Sequence, residues 1–136
     1  MRKIFMLLVV AVLGGFVYWS IQGELNKPEP TAAEMAAIQA VKTVVGAQKV
    51  YQQRNSKYAE HLYQLGPVEA NLIPPVLAGT GKVAGYQLRL RGYGDSYQLS
   101  ADPPANTNQR TFFADQSGVI RENRGAAATA SSNPLQ

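Results

Sequence analysis

The sequence predicts an α+β protein with an apolar segment at its N-terminus. Three observations predict this class: a long uncharged run, a stretch with apolar residues every three or four positions, and stretches in which apolar and polar residues alternate. These patterns are typical of a membrane helix, an amphipathic helix and antiparallel strands with one exposed face. We therefore expect a membrane helix, followed by an amphipathic helix that packs on a small antiparallel β-sheet of three to four strands.

Residues 1–22 are predicted to be a transmembrane anchor. Residues 4–21 carry no charge, and a helix rising about 1.5 Å per residue over this run approaches the thickness of a bilayer's hydrocarbon core. Two basic residues precede the run, which predicts a cytoplasmic N-terminus and a domain on the outer side of the inner membrane. A cleaved signal peptide is the alternative, although bulky Tyr18 and Trp19 stand where a cleavage site needs small residues.

A break containing two prolines, residues 23–30, separates the anchor from the domain. Thr31 followed by Glu34 is typical of a capping box, so a helix is predicted over residues 32–54. One apolar stripe and one nearby tyrosine are expected in the core: Met35, Ile38, Val41, Val45 and Tyr51. A neighbouring stripe holds Ala37, Val44 and Gln48 beside Val41 and Tyr51.

Alternating apolar and polar residues predict the strands. Residues 86–91 and 97–102 alternate on either side of a glycine-rich turn, which is typical of a hairpin. Two further strands are predicted at 110–114 and 118–122. Residues 123–136 have no periodicity and are predicted to be a disordered tail, so the folded domain is expected to span residues 31–122.

The composition excludes several functions. The chain has no cysteine, which excludes disulfides, thiolate metal sites and a catalytic thiol. Its formal net charge is +4, from 13 basic and 9 acidic residues. Without Arg2 and Lys3 the counts are 11 and 9, so the remainder carries +2. Because these basic residues are scattered, we expect no nucleic acid partner.

No set of side chains indicates catalysis, a cofactor or a metal ion. His61 is the only histidine, and no carboxylate or nucleophile stands at a spacing that would pair with it. Ser117 lies in a turn-like sequence rather than in a nucleophile elbow. Three aspartates at strand ends or in turns are too widely spaced for a calcium loop: Asp95, Asp102 and Asp115. We therefore predict a protein that is not an enzyme and has no cofactor.

One surface could bind a ligand. Arg89 and Arg91 are expected on the exposed face of their strand, and Tyr93 is expected at the tip of the hairpin. Arginine and tyrosine side chains in such an arrangement can contact a glycan or a nucleic acid. The alternative is that all three belong to an ordinary solvated strand and turn.

An ordered set of short motifs runs through residues 31–122. It consists of Ala37-Ile38-Gln39-Ala40-Val41-Lys42-Thr43, Ala47-Gln48, Tyr51, Tyr58-Ala59, Leu62, Leu65-Gly66, Gly85-Tyr86, Tyr97, Ala101-Asp102-Pro103 and the stretch from Arg110 to Arg121. This set resembles the type IV pilin and type II secretion pseudopilin superfamily. The resemblance implies a pilin-like fold and a non-enzymatic structural or assembly role. The partners implied are the membrane and other pilin-like or secretion-system subunits, and a homo-oligomer stays open.

The N-terminus departs from that family. Members have a Gly-Phe peptidase site before the apolar segment and a glutamate five residues into the mature chain. Here Gly15-Phe16 follows most of the apolar run, and Ser20 stands at the position of the glutamate. The resemblance therefore concerns the globular part. The alternative function is a membrane-tethered binding module outside the cytoplasm that does not polymerise.

Overall fold

The computed structural model describes residues 30–135 of the chain. Its first element is helix α1, Ala32–Asn55, which starts where the sequence predicts it and ends one residue later. The Thr31 hydroxyl accepts a hydrogen bond from the Glu34 backbone N–H at 3.1 Å, as expected for an N-cap. At the other end, Ser56 adopts a left-handed conformation with φ of 59°, which ends the helix.

Two short helices follow α1. They are a 3₁₀ helix, Leu62–Leu65, and helix α2, Pro75–Thr80. Each buries one leucine in the core. The two short helices lie close together at Gly66. A Cβ atom added to this residue would lie 2.4 Å from the Cβ of Ala78 on α2. Only glycine fits there without moving the two helices apart.

Six antiparallel strands form one sheet, in which each strand pairs with the next one along the chain. The strands are β1 (Lys82–Val83), β2 (Tyr86–Gly92), β3 (Tyr97–Asp102), β4 (Arg110–Asp115), β5 (Ile120–Arg124) and β6 (Asn133–Pro134). A two-residue turn joins β1 to β2, with positive φ at both Ala84 (48°) and Gly85 (85°). All neighbouring strands are thus also neighbours in sequence.

Helix α1 packs on one face of the sheet. The strands contribute buried residues at alternating positions: Tyr86, Leu88, Leu90, Tyr97, Leu99, Ala101, Phe112 and Ala114. The helix contributes Ala37, Ala40, Val41, Val44, Ala47 and Tyr51. Three of these helix residues are alanines, so the helix backbone can approach the sheet closely. Burial of these apolar side chains is the main favourable contribution to folding.

The predicted fold class is wrong. The described residues form one long helix and a six-stranded antiparallel sheet, not an N-terminal membrane helix followed by a helix on three to four strands. The additional strands, β1 and β6, have two residues each and are too short to show alternation. The predicted anchor (1–22) and all but the last residue of the predicted break (23–30) lie outside the described residues. Within residues 30–135, no helix is both long and apolar enough to cross a membrane.

The buried face of α1 differs from the predicted stripe. Val41 and Tyr51 are buried as expected, and Ile38 and Val45 are only partly buried against the core. Met35 was predicted in the core but is 57% exposed. The buried residues follow the neighbouring stripe instead, because the small alanines of that stripe let it lie against the sheet.

Residues 123–136 were predicted to be a disordered tail, but most of this segment belongs to the domain. Residues 123 and 124 end β5, and β6 pairs with β5 at the edge of the sheet. The Leu135 N–H donates to the Ile120 carbonyl at 2.7 Å. Between the two strands, Thr111 donates to the Ala126 carbonyl at 2.7 Å and Arg121 to that of Ser132 at 2.9 Å. These contacts are non-local, so the composition of the segment gives no sign of them.

Candidate interaction surfaces

A charged cluster attaches the start of α1 to the sheet. Glu34 has only 2% of its side chain exposed, and the Nε of Arg110 on β4 donates to its carboxylate at 2.5 Å. The Nη1 of the same arginine donates to the carboxylate of Glu122 on β5. Beside this cluster, the Thr31 hydroxyl donates to the Oε1 of Gln109 at 3.2 Å. One arginine therefore joins the first turn of α1 to two adjacent strands.

The pKa values of Arg110 and of the neighbouring Tyr86 are both raised. Burial lowers the pKa of Arg110, but its hydrogen bonds to Glu34 and Glu122 and their charges outweigh this effect and raise the pKa above its ordinary value. The Tyr86 hydroxyl donates to the Arg110 carbonyl at 2.6 Å. Burial, reinforced by the negative charge of Glu34, raises the pKa of Tyr86 to about 12. The arginine therefore stays charged and the tyrosine neutral at physiological pH.

Gln48 on α1 holds an extended segment against the edge of the sheet. Its side chain is fully buried, its Nε2 donates to the Ala59 carbonyl at 3.0 Å, and its Oε1 accepts from the Ala59 N–H at 2.8 Å. Next to this contact, the Gly92 N–H at the end of β2 donates to the Glu60 carbonyl at 3.2 Å. A Cβ atom added to Gly92 would lie 2.3 Å from the Ala59 carbonyl oxygen, so glycine is required there. The segment after α1 is thus held by hydrogen bonds on both sides.

The three residues predicted to bind a ligand lie along β2 and its turn. Arg89 and Arg91 are both exposed and point away from α1. Across residues 30–135, the ion pairs all involve Arg110, so neither of these arginines is paired. Tyr93 follows in the turn and is 55% exposed. We call Arg89, Arg91 and Tyr93 the basic surface.

Three large apolar side chains between α1 and β1 are exposed, which was not predicted. Tyr63, Val68 and Val76 are 56%, 95% and 67% exposed. The His61 ring stacks on Tyr63, with the ring centroids 5.5 Å apart and the planes 17° apart. Residues 58–81 contain two glutamates, both exposed, and no lysine or arginine.

The other residues considered for chemistry occupy structural positions. The Ser117 hydroxyl and N–H donate to the Asp115 carboxylate at 2.5 and 3.0 Å, which closes the turn between β4 and β5. His61 is exposed and stacks on a tyrosine. In the part of the chain that the structure describes, no group of three or more histidine, aspartate or glutamate side chains could hold a metal ion. That the protein is not an enzyme stays a prediction.

Comparison of the chain with models of protein families, with curated proteins and with solved structures finds no significant match.

Proposed function

We propose that the protein is a non-enzymatic, pilin-like assembly component of a type IV pilus or a type II secretion-type system. In this proposal residues 1–22 hold the chain in the inner membrane, and the domain faces the periplasm or the cell exterior. Two features support it. The apolar run at 4–21 has the length and flanking charges of a membrane-inserted segment. Helix α1 begins soon after that run and packs on a sheet whose strands follow in sequence order.

The observation that carries the proposal is the attachment of the first turn of α1 to the sheet. A subunit that is held at its N-terminus and contacts its neighbours through its domain must transmit force across this junction. Arg110 binds Glu34 in that turn and Glu122 on the sheet, so the junction is held by charged hydrogen bonds. A buried ion pair adds little net stability, and here Arg110 holds the first turn of α1 at one place on the sheet. Such an orientation serves a component that assembles with others.

Cross-linking in the source cells tests the proposal. A photo-activatable amino acid replaces Met35, which is exposed on α1, and the cross-linked products are identified by mass spectrometry. The control places the same group at Val119, which lies in the turn between β4 and β5 and is 37% exposed. We expect adducts with pilin-like or secretion-system subunits in the membrane fraction. A chain that stays monomeric and forms no adduct from Met35, or one that forms the same adducts equally from Val119, would contradict the proposal.

A second candidate is a membrane-tethered binding module. It is favoured by the exposed and unpaired guanidinium groups of Arg89 and Arg91. A chain that begins at Thr31 separates the two candidates. A binding module keeps its ligand affinity without the N-terminal segment, whereas an assembly component loses its cross-links to other subunits.

A further inference from the structure

We propose that residues 125–135 form a strap that opens as a separate unit while the rest of the domain stays folded, and that the strap controls access to Phe113 and to the edge of β5. The strap comprises the connection that follows β5 and the two-residue strand β6. This device belongs to the domain itself, so it does not depend on the proposed function.

The strap lies on the face of the sheet away from α1. Phe112 and Ala114 on β4 belong to the core that α1 covers. Because side chains alternate along a strand, Thr111 and Phe113 point to the opposite face. On that face the Thr111 hydroxyl donates to the Ala126 carbonyl at 2.7 Å. The strap therefore passes over this face beside Phe113.

A second contact holds the strap across the sheet from the first one. Arg121 on β5 is the register partner of Phe113, and its Nη1 donates to the Ser132 carbonyl at 2.9 Å. Between the two attachment points lies Ala128, which is 8% exposed, and Phe113 is 9% exposed. Within residues 30–135, these two are the only buried apolar residues outside the core that α1 covers. We therefore assign the burial of Phe113 to the strap.

The strap has the features of a segment that opens at low cost. Ala128 is its one buried residue, Ser132 and Leu135 are half-buried, and the remaining residues of 125–135 are exposed. Its β6 strand pairs with β5 through Asn133 and Pro134 alone. At its start, Gly125 has φ of 83°, and glycine can leave this conformation for others without strain. Segments that bury few apolar side chains and have exposed hydrogen bonds open with a low free energy.

Opening changes what the domain presents to its surroundings. Phe113 becomes an exposed ring, and β5 becomes the edge of the sheet once β6 has left it. An unpaired edge beside an apolar side chain can pair with an extended segment of another chain. The closed strap prevents this, because β6 covers β5 and Pro134 has no backbone N–H to offer a further strand.

The absence of cysteine from the chain makes a direct test possible. Ala128→Cys places a thiol in the strap, and the matched control Ala101→Cys places one in the core, where the alanine is 0% exposed. Each full-length protein in detergent is treated with a thiol reagent at urea concentrations below the unfolding transition. We expect Ala128→Cys to react roughly tenfold faster or more, at a rate that hardly depends on urea, since a local opening exposes little surface. Equal rates with the same urea dependence would overturn the proposal.

Removal of one strap contact tests whether the reaction reports opening. Thr111→Val removes the hydroxyl that binds the Ala126 carbonyl. It should speed the reaction of Ala128→Cys roughly threefold to tenfold, the range for the loss of one hydrogen bond, and leave Ala101→Cys unchanged. Phe113→Cys should be accelerated by the same factor, because one opening exposes both positions. No acceleration, an equal acceleration of Ala101→Cys, or an acceleration of Ala128→Cys without Phe113→Cys would each overturn the proposal.

Discussion

Replacement of Arg110 with methionine should destabilise the domain severely. The methionine keeps part of the apolar stem but leaves the carboxylate of Glu34, whose side chain is 2% exposed, without a partner. Removing one partner of a buried ion pair costs about 3–5 kcal/mol. Glu122 adds less, because 27% of its side chain is exposed and water can solvate it. A domain of about 100 residues has only about 5–15 kcal/mol of stability, so the loss is a large share of the total.

Urea unfolding of the full-length protein in detergent measures this loss, with near-ultraviolet circular dichroism of the tyrosines as the signal. The matched control is Arg89→Met, an exposed arginine with no ion pair, which should change the free energy of unfolding by less than about 0.5 kcal/mol. The double variant Glu34→Met with Arg110→Met should recover most of the loss, because the almost fully buried carboxylate is removed together with its partner. A loss below about 1 kcal/mol, the value of an exposed pair, would refute the reasoning. A double variant as unstable as the single one would do the same.

Three further predictions concern stability, and urea unfolding measures each of them. Gln48→Ala leaves the buried N–H and carbonyl of Ala59 without partners and should lower the free energy of unfolding by about 2–4 kcal/mol. The control Gln39→Ala, on the exposed face of α1, should lower it by less than about 0.5 kcal/mol. Similar values for both variants would exclude the proposed role of Gln48. Ala84→Asn should stabilise the domain by about 0.5–1 kcal/mol, because φ at this position is 48° and asparagine tolerates that conformation better than alanine. An unchanged or lower free energy of unfolding would contradict this prediction. Burial raises the pKa of Tyr86 and of Tyr97 from 10.0 to about 12, so the folded chain holds these protons more tightly than the unfolded chain. The stability that this contributes is fully present below pH 10 and is lost as the pH rises towards about 12; a urea midpoint that stays constant through this window would contradict the assignment.

The ends of α1 could be predicted from the sequence because the signals are local. Thr31 caps the helix from the adjacent residue, and the apolar period continues to the last turn. The buried face was harder to predict, because two neighbouring stripes had similar apolar content. A buried glutamate at position 34 was the residue that periodicity could not place. Its position in a capping box suggested a local partner, but its carboxylate binds Arg110, 76 residues away.

In the sheet, too, the features set by local sequence patterns could be predicted, and those set by distant residues could not. The alternation in β2 and β3 predicted their hairpin, and it also placed Arg89 and Arg91 on the exposed face. The two-residue strands β1 and β6 exist only because longer strands lie beside them, so they leave no pattern in the sequence. The exposure of Tyr63, Val68 and Val76 was not predicted, because residues 58–81 show neither the helical nor the strand period that would assign a face to each side chain.

The N-terminal sequence and the intact mass of the protein, isolated from the membrane fraction of its own cells, test the account most directly. The account predicts a chain that begins at Met1 and is recovered with the membrane. A chain that begins at Phe16 would instead identify a substrate of pilin-type processing, which keeps the assembly role but changes the mode of attachment. A chain that begins near Gly23 and is found in the soluble fraction would contradict the account, because residues 1–22 would then be a removed signal and could not hold an assembly component in the membrane.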